Sequence, residues 1–349
     1  MIILAIETSC DDTCISVIKI SGKKQLKIKV LSNIVSSQVE IHKKYGGVYP
    51  LLAKRAHEKN LPVVFEKSLK QAKNPKIHAI AVTVGPGLEP CLWSGVNFAK
   101  KIAKDLKVPL IPVNHIEAHI YVNFLNLDPR FLKNIFPALS LIVSGGHTQI
   151  ILIKGFGRYK ILGETRDDAA GECFDKVARM LGLGYPGGPI IEKIAKQYNK
   201  KSKIKIHLPR PMISQKNYDF SFSGLKTAAL YHFKKQKPKV RTSQEYIRAI
   251  AHELQNAIVD VLVYKTIKAV QEHKIKTIIL GGGVSANNQL RKQFKAKIKR
   301  ELMDVECKIP DKKHSTDNAL MIAITAYYKW LNSETKSWKK ITVNANLRL

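Results

Sequence analysis

The chain has 349 residues, 45% of them hydrophobic, and its 59 Lys and Arg against 27 Asp and Glu leave a formal net charge of +32. That length accommodates about two domains of roughly 150 residues, and the apolar content excludes a wholly disordered chain. No apolar run reaches the ~18 residues of a membrane-spanning helix, so no membrane association is expected.

In chain order, Ile2–Ile6 reads as a short buried strand that breaks at the polar turn Glu7-Thr8-Ser9-Cys10-Asp11-Asp12-Thr13. Its apolar run, MIILAI, has no basic residue before it and is too short for a secretory h-region, so no targeting segment is expected. Cys14–Ile20 and Leu26–Val35 follow as strands around the turn Ser21-Gly22-Lys23-Lys24. A loop at Gly46–Pro50 leads to a helix over 51–72, a buried strand Ile77–Val84 ending at Gly85-Pro86-Gly87, a helix over 91–105 and a strand at 110–113. Ala138–Val143 is again a strand, breaking at Ser144-Gly145-Gly146, with strands Thr148–Ile153 and Tyr159–Glu164 and a helix over 169–182 behind it. Thr277–Leu280 is a strand ending at Gly281-Gly282-Gly283, with a helix over 285–300. The last helix spans about 316–331 and starts at Ser315-Thr316-Asp317-Asn318, where a hydroxyl residue before an apolar run signals an N-cap.

The strand, polar turn, strand, strand unit thus occurs twice, at 2–35 and 138–164. This is the pattern of a duplicated α/β protein with two lobes facing across a cleft. Gly-rich or hydroxyl-rich turns between the first two strands of each lobe would aim backbone N–H groups into that cleft, as phosphate-holding turns do. Five cysteines, Cys10, Cys14, Cys91, Cys173 and Cys307, form no CxxC and are odd in number. A disulfide framework is therefore disfavoured, and a reducing, cytoplasmic setting is expected.

The sharpest local feature is Asn114-His115-Ile116-Glu117-Ala118-His119. On a helix, His115 and His119 stand at i and i+4, on one face and close enough to share an ion. In the HExxH motif of zinc proteases the Glu follows the first His; here Ile116 takes that place. Glu117 lies about 200° around the helix from His115, which disfavours protease chemistry. Two imidazoles need an oxygen ligand from elsewhere, and Asp317 is the candidate. Two histidines and one carboxylate leave open positions and suit one divalent ion, iron(II) ahead of zinc.

The ordered motifs resemble those of the TsaD family of tRNA N6-adenosine threonylcarbamoyltransferases, formerly described as O-sialoglycoproteases. They are IETSCDDT at 6–13, GGVYP at 46–50, GPGL at 85–88, HIEAH at 115–119, SGGHTQ at 144–149 and DDAAGECFDK at 167–176. YPGGP at 185–189, SFSGLKT at 221–227, GGGVSAN at 281–287 and STDNALMIA at 315–323 continue the series. SGGHTQ and SFSGLKT are similar to the bacterial and organellar branch. The resemblance implies the two-lobed actin-like fold of the sugar kinase, actin and heat-shock ATPase (ASKHA) class. The lobes would be residues 1–134, completed by 316–349, and residues 135–315. It implies metal binding by His115, His119 and Asp317. It also implies substrate contacts by Ile142, Val143, Ser144, Gly145, Gly146, Asp175, Gly188 and Asn287, with Ser9, Asp11, Ser221 and Lys226 near the same cleft. Glu192 either reaches a ribose hydroxyl or is an exposed helix residue.

The implied reaction moves threonylcarbamoyl from threonylcarbamoyl-AMP to N6 of the adenosine 3′ to the anticodon in tRNAs reading codons that begin with A. The Ser144–Gly146 amides would stabilise the acyl phosphate, and the Gly281–Gly283 turn with Asn287 would hold the adenosine of AMP. Asp11 and His147 are the candidate bases for the N6 proton. The resemblance also implies a TsaB-like paralogue and a TsaE-like ATPase as partners. Two other readings compete. An actin-fold ATPase or kinase explains the phosphate turns but not HxxxH, because Mg²⁺ prefers oxygen ligands. A non-catalytic nucleic-acid scaffold explains the charge but not the motifs.

The charge itself has two readings. Lys outnumbers Arg 48 to 11, which fits either a polyanionic partner such as tRNA or a codon bias towards lysine. Basic clusters at 200–205, 234–239 and 291–300 are expected on loops or helix faces beside the core.

Overall fold

The computed structural model describes residues 1–22, 27–125, 127, 134–199, 201–302, 304–332 and 338–349. The expected turn residues Lys23 and Lys24, the strand start Leu26 and the cluster residue Lys200 lie outside the described residues. The chain divides into two compact units, Met1–Asn134 with Thr316–Leu349, and Ile135–Ser315.

The first unit is built on a five-stranded sheet of order β3-β2-β1-β4-β5. Its strands are β1 (Ile2–Glu7), β2 (Asp12–Ser21), β3 (Lys27–Ser37), β4 (Ala79–Gly85) and β5 (Leu110–Asn114). β1 runs antiparallel to β2, in a register from Ile2 opposite Lys19 to Glu7 opposite Cys14, and parallel to β4. Every residue of β1 and β4 is buried. Such continuous apolar runs mark strands covered on both faces. The turn α1 (Val39–His42) precedes two long helices, α2 (Pro50–Gln71) and α3 (Glu89–Leu106). Leu61, Val64, Val96 and Ala99 of these helices pack against Leu4, Ile6, Ile80 and Val82. The short helix α4 (His115–Tyr121) follows β5 directly.

The second unit repeats the plan with order β10-β9-β6-β7-β8. Here β6 (Ala138–Val143), β7 (Thr148–Gly155) and β8 (Arg158–Glu164) form the antiparallel part, and β9 (Thr277–Gly281) and β10 (Glu306–Lys308) run parallel to β6 and β9 in turn. With β6 read as a first strand, both sheets have the same order and the same directions, so the duplication read from the sequence holds. The helices are α5 (Ala170–Met180), α6 (Gly187–Ala195), α7 (Ser223–Lys235), the single turn α8 (Pro238–Arg241), α9 (Gln244–Glu272) and α10 (Asn288–Glu301). The helix expected over 285–300 is interrupted: a 3-10 turn covers Gly283–Ala286, and α10 starts only after Asn287.

The last helix, α11 (Ala319–Leu331), belongs to the first unit. Residues 319–328 are all buried, as expected of a helix that is hydrophobic all round. It packs on β1, β2 and α4. It begins three residues later than expected. The cap is Asn318, whose Oδ1 accepts from the Met321 amide at 3.1 Å, not Ser315 or Thr316. Ser315, the last residue of the second unit, instead accepts at Oγ a hydrogen bond from Arg291 of the same unit at 2.9 Å. No helix among the described residues is long and apolar enough to cross a membrane.

Candidate functional site

β5 delivers the HxxxH segment onto α4. Asn114 caps this helix, its Oδ1 accepting from the Ile116 amide at 2.8 Å and the Glu117 amide at 3.2 Å. The helical spacing brings the His115 and His119 rings to 4.7 Å between centroids, edge to face. Asp317, in the turn before α11, meets both. Its Oδ1 lies 3.5 Å from His115 Nε2 and 3.2 Å from His119 Nε2. The three potential ligand atoms fall within 4.8 Å of one another.

These residues fit a metal ion. His119 is fully buried, and neither of its ring nitrogens has a hydrogen-bond partner, a costly state that a Lewis acid would relieve. Ligands held about 2.0–2.1 Å from one ion are separated from each other by a little over 3 Å, close to the spacing seen here. Two electrostatic effects divide the histidines. Burial and the neighbouring His115 push His119 down, despite the Asp317 carboxylate beside it. Burial also works against charge on His115, but Asp317 and Glu7 outweigh it and push His115 up to about 9. Glu117 takes no part in the triad: it points to Lys329 Nζ of α11, 3.3 Å away.

Glu7, which the sequence reading places only as the first residue of the polar turn after Ile2–Ile6, ends β1 and stands behind His115. Its Oε2 lies 3.0 Å from His115 Nδ1 and accepts from Thr83 Oγ1 at 2.7 Å. The signal was present in the sequence: a carboxylate closes an otherwise apolar run that becomes a central strand. Asp11 lies in the turn that follows, its carboxyl pushed up by burial and by the charge of Asp317.

In the second unit, the turn Ser144–His147 closes the β6–β7 hairpin. Ser144 donates its amide to the His147 carbonyl at 2.8 Å, and the His147 amide donates to Ser144 Oγ at 3.0 Å. The Ser144 N–H is therefore not available to a ligand, contrary to the expectation that all three turn amides serve. Gly145 and Gly146 are exposed, with open space around both, and their amides meet no backbone acceptor among the described residues. Ile142 and Val143 are buried strand residues, so only their backbone can face a ligand. Gly282 has φ +84°, and a Cβ there would sit 2.4 Å from the Val143 carbonyl, so the β9 turn requires glycine.

The other expected contacts are largely engaged within the unit. Asp175 accepts from the Gly187 amide at 2.6 Å, which ties α5 to the start of α6, while Gly188 beside it faces open space. Asn287 is 7% exposed; its Oδ1 caps α10 at the Leu290 amide and its Nδ2 donates to Gln255 at 2.9 Å. Its amide is thus built into the fold rather than presented from the turn. Glu192 is not an exposed helix residue: it binds the side chain and amide of Asn288 and pairs with Lys196 at 3.0 Å. The SFSGLKT and DDAAG motifs meet as one network. Asp167 accepts from Ser221 Oγ and Ser223 Oγ, each at 2.6 Å, and Asp168 pairs with Lys176 at 2.7 Å and Lys226 at 2.8 Å.

Comparison with known proteins agrees with this construction. A chain named tRNA N6-adenosine threonylcarbamoyltransferase from Thermosipho melanesiensis is 47% identical over 334 residues, covering 94% of each chain. One of the same name from Caldicellulosiruptor saccharolyticus is 44% identical over 340 residues, covering 97% of this chain and 96% of that one. Among solved structures, HypF of T. kodakarensis superposes with a TM-score of 0.59 at 13% identity; the match covers 94% of this chain and about half, 48%, of HypF. (R)-2-hydroxyglutaryl-CoA dehydratase component A of Acidaminococcus fermentans gives 0.51 at 13% identity, over 94% and 98% of the two chains. These two likenesses concern the fold alone, which is the actin-like ASKHA fold. The family profile matching residues 29–324 is that of TsaD, tRNA N6-adenosine threonylcarbamoyltransferase, and the chain belongs to this family.

Proposed function

We infer that this chain is the transferase that makes N6-threonylcarbamoyladenosine in tRNA, acting in the cytoplasm on the adenosine 3′ to the anticodon. Relatives of that name, aligned over nearly the whole chain, carry this reading. In the reaction, the N6 amine attacks the carbamoyl carbon of threonylcarbamoyl-AMP, the bond from that carbon to the phosphate oxygen breaks, AMP departs, and the N6 proton passes to a base. An amine conjugated to a purine is a weak nucleophile, so the acyl donor must be held and polarised.

His115, His119 and Asp317 are the residues that would hold the metal, iron(II) or zinc. Once bound, such an ion supplies Lewis acidity towards the donor's oxygens. The exposed Gly145 and Gly146 amides are the donors suited to the acyl phosphate, because backbone N–H groups fixed by a turn need no reorganisation as charge develops. Asp11 and His147 remain the candidate bases. A TsaB-like paralogue and a TsaE-like ATPase are the proposed protein partners, and tRNA the nucleic-acid partner.

Two measurements test this reading. Nucleoside mass spectrometry of tRNA incubated with the protein, its partners and threonylcarbamoyl-AMP is expected to find the modified adenosine, and its absence would refute the activity. Elemental analysis tests the triad. Asp317 does not cap α11, so Asp317→Ala is expected to keep the fold and lose most of the bound metal. Full occupancy in that variant would remove Asp317 from the site.

A further inference from the structure

We propose that Glu7 is a positioning residue that fixes the tautomer and orientation of His115, so that its Nε2 lone pair faces the point where His119 and Asp317 converge. The proposal rests on the reading of His115, His119 and Asp317 as metal ligands. It explains a carboxylate in a place where the fold needs none.

Glu7 is the last residue of β1, a central strand, and is fully buried. A carboxylate taken out of water is costly unless charges or hydrogen bonds surround it. No Lys or Arg is paired with Glu7 among the described residues; its one ionic partner is His115. The internal duplication supplies a control. The last residue of the corresponding strand β6 is Val143. Glu7 stands opposite Cys14 across its hairpin, and Val143 stands opposite Thr148 across the other. The same backbone position therefore accepts an apolar side chain, so the charge at Glu7 answers to something other than the sheet.

Its contacts show what that is. Oε1 accepts from the Ser9 amide, and Oε2 accepts from Thr83 Oγ1 and lies 3.0 Å from His115 Nδ1. Ser9 Oγ is the other group near Nδ1, at 3.2 Å. A carboxylate can only accept, so Nδ1 must carry the hydrogen. In the neutral imidazole, the form that binds an ion, this leaves the lone pair on Nε2, the nitrogen 3.5 Å from Asp317. Glu7 is itself held by β1 and by Thr83 of the adjacent strand β4, so the imidazole is braced by the rigid middle of the sheet. Partners of this kind behind a ligating imidazole typically change metal affinity 10- to 100-fold.

The test uses the full chain stripped of metal, with zinc alone as the probe and a chromophoric chelator as competitor. Glu7→Gln is expected to raise the zinc Kd about tenfold or more, with near-ultraviolet circular dichroism unchanged. Thr83→Val removes a hydrogen bond from the same carboxylate without touching the imidazole, and is expected to change the Kd less than threefold. A wild-type Kd in Glu7→Gln, or an equal loss in Thr83→Val, overturns the proposal. In case Glu7→Gln does not fold, nitrogen-15 NMR of the wild-type zinc form decides: a proton on His115 Nδ1 supports it, and zinc on Nδ1 overturns it. Wild-type protein that takes up no zinc removes the metal reading itself, whereas uptake that is indifferent to Glu7 removes this proposal alone.

Discussion

Asp12 shows how strongly a single position can be loaded by the fold. Burial, with the charge of Asp11 beside it, pushes its carboxyl up to about 7 despite a hydrogen bond from Ser37, and its Oδ1 has no hydrogen-bond partner. The folded chain keeps this proton up to about pH 7, whereas an unfolded Asp releases it near pH 3.9. The folded state binds more protons in that window, so this residue's contribution to stability declines as pH rises from about 4 to 7. Asp12→Asn is therefore expected to raise Tm, slightly near pH 4.5 and most above pH 7. Thermal melts of both chains across that range check it, and a pH-independent offset would reject it. Asn287 carries the opposite lesson. Its side chain caps α10 and satisfies buried Gln255. Asn287→Ala is expected to cost about 1–3 kcal/mol in urea denaturation, from the lost cap and the unpaired amide together. A change in nucleotide affinity without loss of stability would return it to a direct binding role. The sequence places Asn287 correctly after a glycine turn at a helix start, but that position suits a cap and a ligand contact equally. Only the location of Gln255, on a helix 32 residues earlier, separates them.

At the scale of elements, the triad depends on α4 and α11 being held together. One link is Glu117 with Lys329, a pair 3.3 Å apart whose side chains are 4% and 15% exposed. Removing one partner of such a pair typically costs about 3–5 kcal/mol, whereas replacing both by neutral groups is far milder. Lys329→Met is thus expected to destabilise strongly, and Glu117→Gln combined with Lys329→Met to recover most of the loss. Denaturant melts of the parent, each single variant and the double variant measure this, and additive losses would show that the two residues are not coupled. Another strap lies in the second unit. The basic segment 201–216 is fastened to α9: Arg210 pairs with Glu253 and Asp260, and Lys268 donates to the Lys216 carbonyl at 3.1 Å. A basic stretch looks solvated in one dimension. Its partners are acids 40 to 50 positions later, which composition does not reveal.

For the whole molecule the open question is the charge of +32. Lys234, Lys235, Lys237 and Lys239 around α8, and Lys292, Lys295 and Lys299 along α10, are exposed. Binding of tRNA is expected to fall steeply with salt, with a log–log slope of about −0.7 to −0.9 for each phosphate neutralised. Changing the four lysines around α8 to Gln is expected to flatten that slope. A slope near zero in the parent chain would mean that the lysines reflect composition and not a nucleic-acid surface.

The sequence by itself determined the duplicated α/β plan, because buried central strands need apolar runs and glycine turns need glycine, and both are local demands. It also determined the pairing of His115 with His119, since i and i+4 on a helix share a face whatever surrounds them. Tertiary structure alone decided the rest. It brought Asp317 from 198 positions away to within 3.2 Å of His119. It moved the α11 cap from the hydroxyls of Ser315 and Thr316 to Asn318, and it assigned Ser144's amide to the hairpin rather than to a ligand. It also put Glu7 behind His115, across 108 residues of chain. In each case the deciding contact joins groups far apart in sequence. Such contacts follow from the order in which strands pair and helices pack, and no local pattern of residues encodes that order.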